Sequence, residues 1–138
     1  MVTYNAPIDD MMFLFEKLRD NPYYNELEKY KEVNPDIAKD ILEQAAKITE
    51  NLILPLAKIG DETPAVFENG VVRTSPRYKE AYNKFVEDGW ISLSCDQEYG
   101  GQEIPKTISA FFDEMLSSAS LSFKLYSELS IGVYNCIL

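Results

Sequence analysis

The residues of this chain whose types could support catalysis are concentrated in one stretch, GWISLSCDQEYGGQEIP, at residues 89–105. The stretch holds one of the two cysteines, Cys95. Asp96 and Glu98 could be a paired general acid and base, but nothing else nearby supplies a nucleophile or an oxyanion site. Gly100 and Gly101 could belong to a loop that cradles a phosphate. The stretch is therefore a candidate site, although it could also be a simple connection between two helices.

The rest of the chain weakens the catalytic interpretation. The sequence has no histidine, which excludes His-based triads and the common zinc sites, so we expect no metal site. Gly100-Gly101 lies between predicted helices and no Lys-Ser or Lys-Thr follows it, so a phosphate loop fits poorly. Two interpretations remain open: the glycines permit positive φ or close backbone approach in a tight connection, or the loop lies beside a ligand without reacting with it.

Composition and charge restrict the class of protein. The 138 residues suffice for about one domain, and the acids behind the net charge of −10 are scattered. That balance disfavours nucleic acid and anionic membranes as partners. We expect no membrane span, because no apolar run approaches about 18 residues. The acidic N-terminus does not resemble a signal peptide, so we expect a cytoplasmic protein with free, buried thiols at Cys95 and Cys136.

The elements that must position the loop are predicted from helical periodicity and turn residues. The first two helices are predicted from Ile8 to Leu18 and around 23–30. A third begins at Asn34-Pro35, is interrupted near Leu54 by Pro55, and ends at Gly60. Further helices are predicted from Ser75-Pro76 to Gly89, from Pro105 to a Ser-rich break at 117–122 or 127, and over 129–138. A short β-hairpin is predicted around Asn69-Gly70. The pattern predicts an all-α fold, an antiparallel helical bundle with a small β-hairpin insert.

The last predicted helix, SIGVYNCIL, is apolar nearly all round and has no polar tail. Such a helix normally has neighbours on several sides, so we expect that this chain is part of a longer one.

Two sequence segments in combination resemble the N-terminal helical domain of the acyl-CoA dehydrogenase family. The first, DGWISLSCDQEYGGQEIP, holds a Gly-Trp helix end and a Glu-Tyr-Gly-Gly-Gln loop, and the second, ISAFFDEMLSSASLSF, holds an acidic residue before a Leu/Met-rich stretch. YNAPIDDMMFLF, residues 4–15, is similar to the N-terminal extension of a branch that includes the 3-methylmercaptopropionyl-CoA dehydrogenases. The chain departs from the family at Cys95-Asp96-Gln97, where a Pro-Glu-like pair is more usual.

The resemblance implies a domain organisation and an activity. Residues 1–33 are expected to be the N-terminal extension and 34–138 the helical domain, without the β-domain and C-terminal helical domain. The full-length enzyme would be a flavoprotein of fatty acid metabolism that oxidises an acyl-CoA thioester to the enoyl-CoA with FAD and passes electrons to electron-transfer flavoprotein. The catalytic base and the FAD contacts are expected outside this chain, which would be inactive and bind no FAD alone. A homo-oligomer is expected for the full-length relative.

The resemblance also implies which residues line the substrate pocket. They lie in the glycine loop and near the end of the following helix: Tyr99, Gly100, Gly101, Phe123, Tyr126 and Ser127. The alternative is a stand-alone helical protein-interaction module without catalysis.

Overall fold

The computed structural model describes residues 3–137 and confirms an all-α fold with a small β-hairpin. The helices of this range are α1 (Ile8–Arg19), α2 (Pro22–Glu26), α3 (Glu28–Glu32), α4 (Pro35–Ile48), α5 (Leu54–Glu62), α6 (Tyr78–Glu87) and α7 (Lys106–Ile137). The two strands are β1 (Val66–Glu68) and β2 (Val71–Arg73). None of the described helices is long and apolar enough to cross a membrane.

The start of α4 is set by local sequence, as predicted. The Asn34 side chain accepts a hydrogen bond of 2.9 Å from the Ile37 backbone N–H, and Pro35 occupies the first helical turn. Ile37 is the first apolar residue of α4 after Pro35 but is 42% exposed, and Ala38 is fully buried. The buried face therefore begins one residue later than the apolar pattern indicated, because the alanine faces the core.

Pro55 interrupts the helical hydrogen-bond ladder without ending the helical path. A five-residue π-helical segment, Thr49–Ile53, joins α4 to α5, and the Leu54 N–H bonds to the Thr49 carbonyl. The wider turn accommodates a proline that has no N–H and whose ring would clash with the preceding turn. The predicted interruption near Leu54 is confirmed, but the predicted end at Gly60 is wrong, because α5 continues to Glu62.

Gly60 instead allows a close helix contact. A Cβ atom at this position would lie 2.4 Å from the hydroxyl oxygen of Tyr78 on α6. That hydroxyl donates a hydrogen bond of 3.3 Å to the Leu56 carbonyl and lies 2.9 Å from the Ser122 hydroxyl of α7. Tyr78 therefore connects α5, α6 and α7, and the glycine leaves room for it.

The hairpin and the start of α6 were predicted with mixed success. Asn69 and Gly70 both adopt positive φ, 52° and 78°, as a two-residue hairpin turn requires, so this prediction is confirmed. The predicted helix start at Ser75-Pro76 is wrong, because α6 begins at Tyr78 and is preceded by Arg77 at φ 67°. Ser75 is buried, and its carbonyl accepts a hydrogen bond from the Tyr78 N–H. Gly89, at φ 77°, follows the helix as expected.

Helix α7 reverses direction at Ser120, which has non-helical backbone angles of φ −161° and ψ 91°. The Ser120 hydroxyl accepts a 3.4 Å hydrogen bond from the Phe123 N–H, as a helix cap does. Lys106 Nζ lies 3.4 Å from Asn135 Oδ1, whereas a straight helix would separate these residues by about 43 Å. Residues 121–137 therefore fold back along 106–119, and the predicted Ser-rich break is confirmed.

The last helical segment begins earlier than expected, at 121 and not at 129. Leu138, its predicted end, lies outside the described residues, as do Met1 and Val2. Cys95 is buried and Cys136 exposed, both as free thiols, so the predicted burial is wrong for Cys136. Cys136 occupies the exposed last turn of α7.

The core is aromatic at its centre and includes the N-terminal segment. Phe85 of α6 stacks on Phe112 at 5.8 Å and meets Phe123 edge-on at 5.7 Å, so α6 joins both halves of α7. Met11 and Phe15 of α1 are buried in the same core. The boundary between 1–33 and 34–138 stays a prediction, although residues on both sides of it share this core.

Truncating the buried aromatic of α1 tests whether residues 1–33 stabilise the rest. Phe15 is fully buried and Phe13, two positions away, is 59% exposed. We expect Phe15→Ala to lower the free energy of unfolding by about 3–5 kcal/mol, while Phe13→Ala changes it by about 0.5 kcal/mol or less. Urea unfolding measures both. Equal small effects would mean that α1 is not part of the cooperative core.

Candidate functional site

The loop of residues 89–105 connects α6 to α7 and is held by its own backbone. Gln102 donates from its side-chain amide to the Gly89 carbonyl at 3.0 Å, which joins the two ends of the loop. The Glu103 and Ile104 N–H groups donate to the Cys95 and Leu93 carbonyls, each at 3.0 Å. These bonds form within the loop itself, so it is an ordered connection.

The two central glycines have different reasons to be glycine. Gly100 adopts a φ of 78°, which an L side chain rarely tolerates. Gly101 has no such angle, but a Cβ atom there would lie 1.9 Å from the Cys95 carbonyl oxygen. The two backbone reasons for a glycine, positive φ and close backbone approach, are therefore both present, one at each position.

Asp96 is the most connected charged residue of the loop. Its carboxylate accepts a hydrogen bond of 2.7 Å from Lys29 Nζ of α3 and one of 2.9 Å from the Tyr134 hydroxyl of α7. The Tyr134 oxygen in turn accepts the Asp96 backbone N–H at 2.9 Å. The hydrogen bond from Lys29, followed by that from Tyr134, holds the pKa of Asp96 below its ordinary value, and the same ion pair raises the pKa of Lys29.

The chemically reactive side chains of the loop are not arranged as a catalytic pair. The Asp96 carboxylate is already occupied by two donors. Burial raises the pKa of the Cys95 thiol, which favours the less nucleophilic, protonated form. The described residues contain no group of three or more acids and cysteines able to hold a metal ion. The geometry suits a structural or binding role for the loop.

The six predicted pocket residues do not form one site in this structure. Tyr99 is 55% exposed and meets the Tyr134 ring edge-on at 6.0 Å. Phe123 is buried in the core, and Tyr126 packs against Tyr78 at 5.6 Å. Ser127 is buried one helical turn after Phe123 and lines a groove between the two halves of α7. The loop and the helix residues therefore belong to separate surroundings, and their shared role stays a prediction.

The groove lined by Ser127 has a volume of about 480 Å³ and lies between the two halves of α7 and the start of the loop. Its apolar wall includes Trp90, which packs on Phe112 at 4.9 Å, together with Leu116 and Ile131. Most of these lining residues were not predicted from the sequence. Helical spacing of Lys106, Ser109, Ala110, Asp113 and Leu116 in the sequence puts them on one face, but that face is opposed only because α7 reverses.

Polar side chains line the groove as well. Lys106 donates to the Ser94 hydroxyl at 3.0 Å and to the Asn135 side-chain oxygen at 3.4 Å. Asp113 also lines the groove, where partial desolvation raises the pKa of its carboxyl although the residue is still exposed. The wall formed by Trp90, Phe112, Leu116 and Ile131 suits a mainly apolar group, and the groove can therefore bind and shield such a group.

The chain matches two curated proteins along almost its whole length. It is 39% identical over 136 residues, 99% of this chain, to 3-methylmercaptopropionyl-CoA dehydrogenase of Ruegeria pomeroyi. It is 26% identical over 130 residues, 92% of this chain, to the broad-specificity linear acyl-CoA dehydrogenase FadE5 of Mycobacterium tuberculosis. The chain spans only 23% and 21% of the lengths of these relatives. No protein-family model matches it.

Substituting the glycines tests the packing of the loop. Because the Gly101 Cβ would meet backbone atoms, we expect Gly101→Ala to destabilise the fold by about 3 kcal/mol and Gly100→Ala by about 1–2 kcal/mol. Gly132, a helical position of α7 with nothing within 4 Å, is the control. Gly132→Ala should stabilise by about 0.5–1 kcal/mol. Thermal unfolding compares the three, and a neutral Gly101→Ala would contradict the close approach.

The Lys29–Asp96 pair predicts a pH dependence. Folding lowers the pKa of Asp96, so the stability from this pair is present above the ordinary Asp value of about 3.9 and is lost as pH falls through the folded-state pKa. We expect Lys29→Gln to lower the urea midpoint near neutral pH, with the difference from the unsubstituted chain shrinking as the pH falls below the ordinary Asp value of about 3.9. Added salt should shrink it too, because the pair is partly exposed. A difference in urea midpoint that changes with neither pH nor salt would show that the Lys29–Asp96 ion pair does not cause it.

Proposed function

Because this chain belongs, as a segment, to the acyl-CoA dehydrogenase family, we propose that it supplies part of the wall of the acyl-CoA site in a longer, FAD-dependent enzyme. That enzyme would dehydrogenate an acyl-CoA thioester between its α- and β-carbons. The observation that carries the proposal is the 39% identity over 99% of the chain with 3-methylmercaptopropionyl-CoA dehydrogenase. The helical segment with its β-hairpin would be one part of this enzyme.

The proposal assigns binding and shielding to this chain, and no chemical step. The loop of residues 89–105 and the groove offer an ordered backbone and an aromatic wall, which exclude water from an apolar group. The acyl part of the substrate has that character. Tyr99, Gly100 and Gly101 remain the proposed pocket residues of the loop, and Phe123, Tyr126 and Ser127 those of α7. The names of the two relatives refer to different acyl groups, so we propose only that the substrate is an acyl-CoA and do not name its acyl group.

The residues that line the groove do not fit FAD. A flavin dinucleotide carries a diphosphate, which binds to glycine-rich helix starts or to clusters of cations. The groove is instead lined by the carboxylates of Asp113 and Glu128 and by a single lysine, Lys106. We therefore place the flavin contacts and the base outside this chain and derive no step through the flavin. We propose as well that electron-transfer flavoprotein reoxidises the flavin, and that the full-length enzyme is a homo-oligomer in the cytoplasm.

A second function, protein interaction without catalysis, is favoured by one surface. Five apolar residues spaced four apart on the second half of α7 are each at least half exposed: Leu121, Leu125, Leu129, Val133 and Ile137. This spacing puts them along one ridge of the helix, without a charged residue among them. Exposed apolar patches of this kind mark interfaces, here with a second copy of the chain as the simplest occupant.

A chimaera tests the dehydrogenase proposal. The segment of the Ruegeria pomeroyi relative that matches this chain is replaced by residues 1–138, and bound FAD and acyl-CoA oxidation with an artificial electron acceptor are measured. We expect the chimaera to retain FAD and activity, while the 138-residue chain alone shows no visible flavin absorbance.

The matched control is the same chimaera carrying Gly101→Ala, which should lose activity because the loop is displaced. A folded chimaera that holds FAD but does not oxidise acyl-CoA would contradict the proposal. If that inactive chimaera were found and the isolated chain also formed a defined dimer by light scattering, the two results together would favour the protein-interaction function.

A further inference from the structure

Asp96 joins three segments that are far apart in sequence. Lys29 is 67 positions before it and Tyr134 is 38 positions after it, and both bind its carboxylate, at 2.7 and 2.9 Å. Asp96 precedes the short 3₁₀ turn Gln97–Tyr99 but makes no side-chain cap bond to it. Its carboxylate is therefore engaged in long-range contacts and not in the local bond that an aspartate at this position usually makes.

Tyr134 contacts both ends of this turn. Its hydroxyl exchanges two hydrogen bonds of 2.9 Å with Asp96, one to the carboxylate and one from the backbone N–H. Its ring meets the Tyr99 ring edge-on at 6.0 Å. The Tyr99 and Gly101 N–H groups donate to the Asp96 carbonyl, each at 3.0 Å. The position of Asp96 thus determines where Tyr99 and the glycines lie.

Lys29 approaches from a short helix that is itself anchored. Arg19 of α1 donates to the Tyr30 carbonyl at 3.0 Å and to the Val33 carbonyl at 2.7 Å. The Tyr30 hydroxyl also hydrogen-bonds to the Thr107 hydroxyl at the start of α7. These contacts place α3 beside the loop, so the ammonium group of Lys29 is presented to Asp96 from a fixed support.

We propose that Tyr134 is a positioning residue for the substrate-side loop, with Lys29 as its charged counterpart, and that both act through Asp96. The residues before Asn34 would then help to shape the pocket without touching the substrate. The proposal also gives a role to Asp96, at a position where the loop departs from the Pro-Glu-like pair of the family pattern. The effect on substrate rests on the proposed function, whereas the ordering of the loop does not.

The two contacts should differ in strength. The Lys29 and Asp96 side chains are 43% and 45% exposed, and exposed ion pairs contribute little because water and salt screen them. Loss of the Tyr134 hydroxyl removes two hydrogen bonds at once, one of them to a charged group, and leaves the Asp96 N–H without its partner. Tyr134 should therefore order the loop more strongly than Lys29 does.

Hydrogen–deuterium exchange on the 138-residue chain tests the ordering. Tyr134→Phe keeps the ring but removes the hydroxyl, and we expect the amides of residues 99–104 to exchange roughly tenfold faster while those of α4 do not change. Tyr82→Phe is the matched control, because Tyr82 is half-buried and its hydroxyl makes no hydrogen bond within residues 3–137. Unchanged loop exchange in Tyr134→Phe would overturn the proposal.

Substitutions at Lys29 separate charge from bulk. Lys29→Gln should increase loop exchange about two- to threefold, and Lys29→Arg, which keeps the charge, should restore the protection. Lys31→Gln on the same helix is the control, because Lys31 is exposed and forms no ion pair in the described part of the chain. Equal effects of Lys29→Gln and Lys31→Gln would remove Lys29 from the proposal.

The chimaera measures the consequence for substrate. Tyr134→Phe should raise KM for the acyl-CoA several-fold, with kcat and FAD content nearly unchanged, because the loop orients substrate and does not react. An active chimaera with unaltered KM would overturn the positioning role. An inactive chimaera would contradict the proposed function, and the exchange experiment would still decide whether Tyr134 orders the loop.

Discussion

The non-helical backbone of Ser120 turns the second half of α7 back along the first, and most of the functional geometry depends on that reversal. It brings Phe123 against Phe85, so that one core includes both halves of the helix. It also brings Ser127 opposite Asp113 to form the groove, and Tyr134 next to Asp96. A straight α7 would carry these residues away from the bundle, and neither the groove nor the loop contacts would exist.

The proposed pocket wall depends on this arrangement. The residues of 89–105 first suggested catalysis because an acid pair, a thiol and two glycines lie together. In the folded chain the Asp96 carboxylate is bound by two donors and the Cys95 thiol is buried. Gly100 allows a positive φ, and Gly101 allows the backbone to approach Cys95 closely. The loop is thus an ordered surface, which the proposed role of lining the site of a larger dehydrogenase requires.

Local features were predictable from sequence because neighbouring residues determine them. The Asn34 cap, the turn at Asn69-Gly70 and the break in the serine-rich stretch each depend on side chains or backbone angles within a few residues. The local predictions failed where a partner from elsewhere intervened. Gly60 was predicted to end α5, but the helix continues to Glu62, and the glycine instead makes room for the hydroxyl of Tyr78.

The family resemblance and its loop motif were also present in the sequence alone, and they identified the chain more specifically than its composition could. The sequence did not indicate that Lys29 and Tyr134 bind Asp96, since the three residues are separated by 67 and 38 positions and carry no local signal of pairing. Sequence by itself therefore determined the helices, the hairpin and the family. Only the tertiary structure decided which helix faces meet, because that depends on the direction of α7 after Ser120.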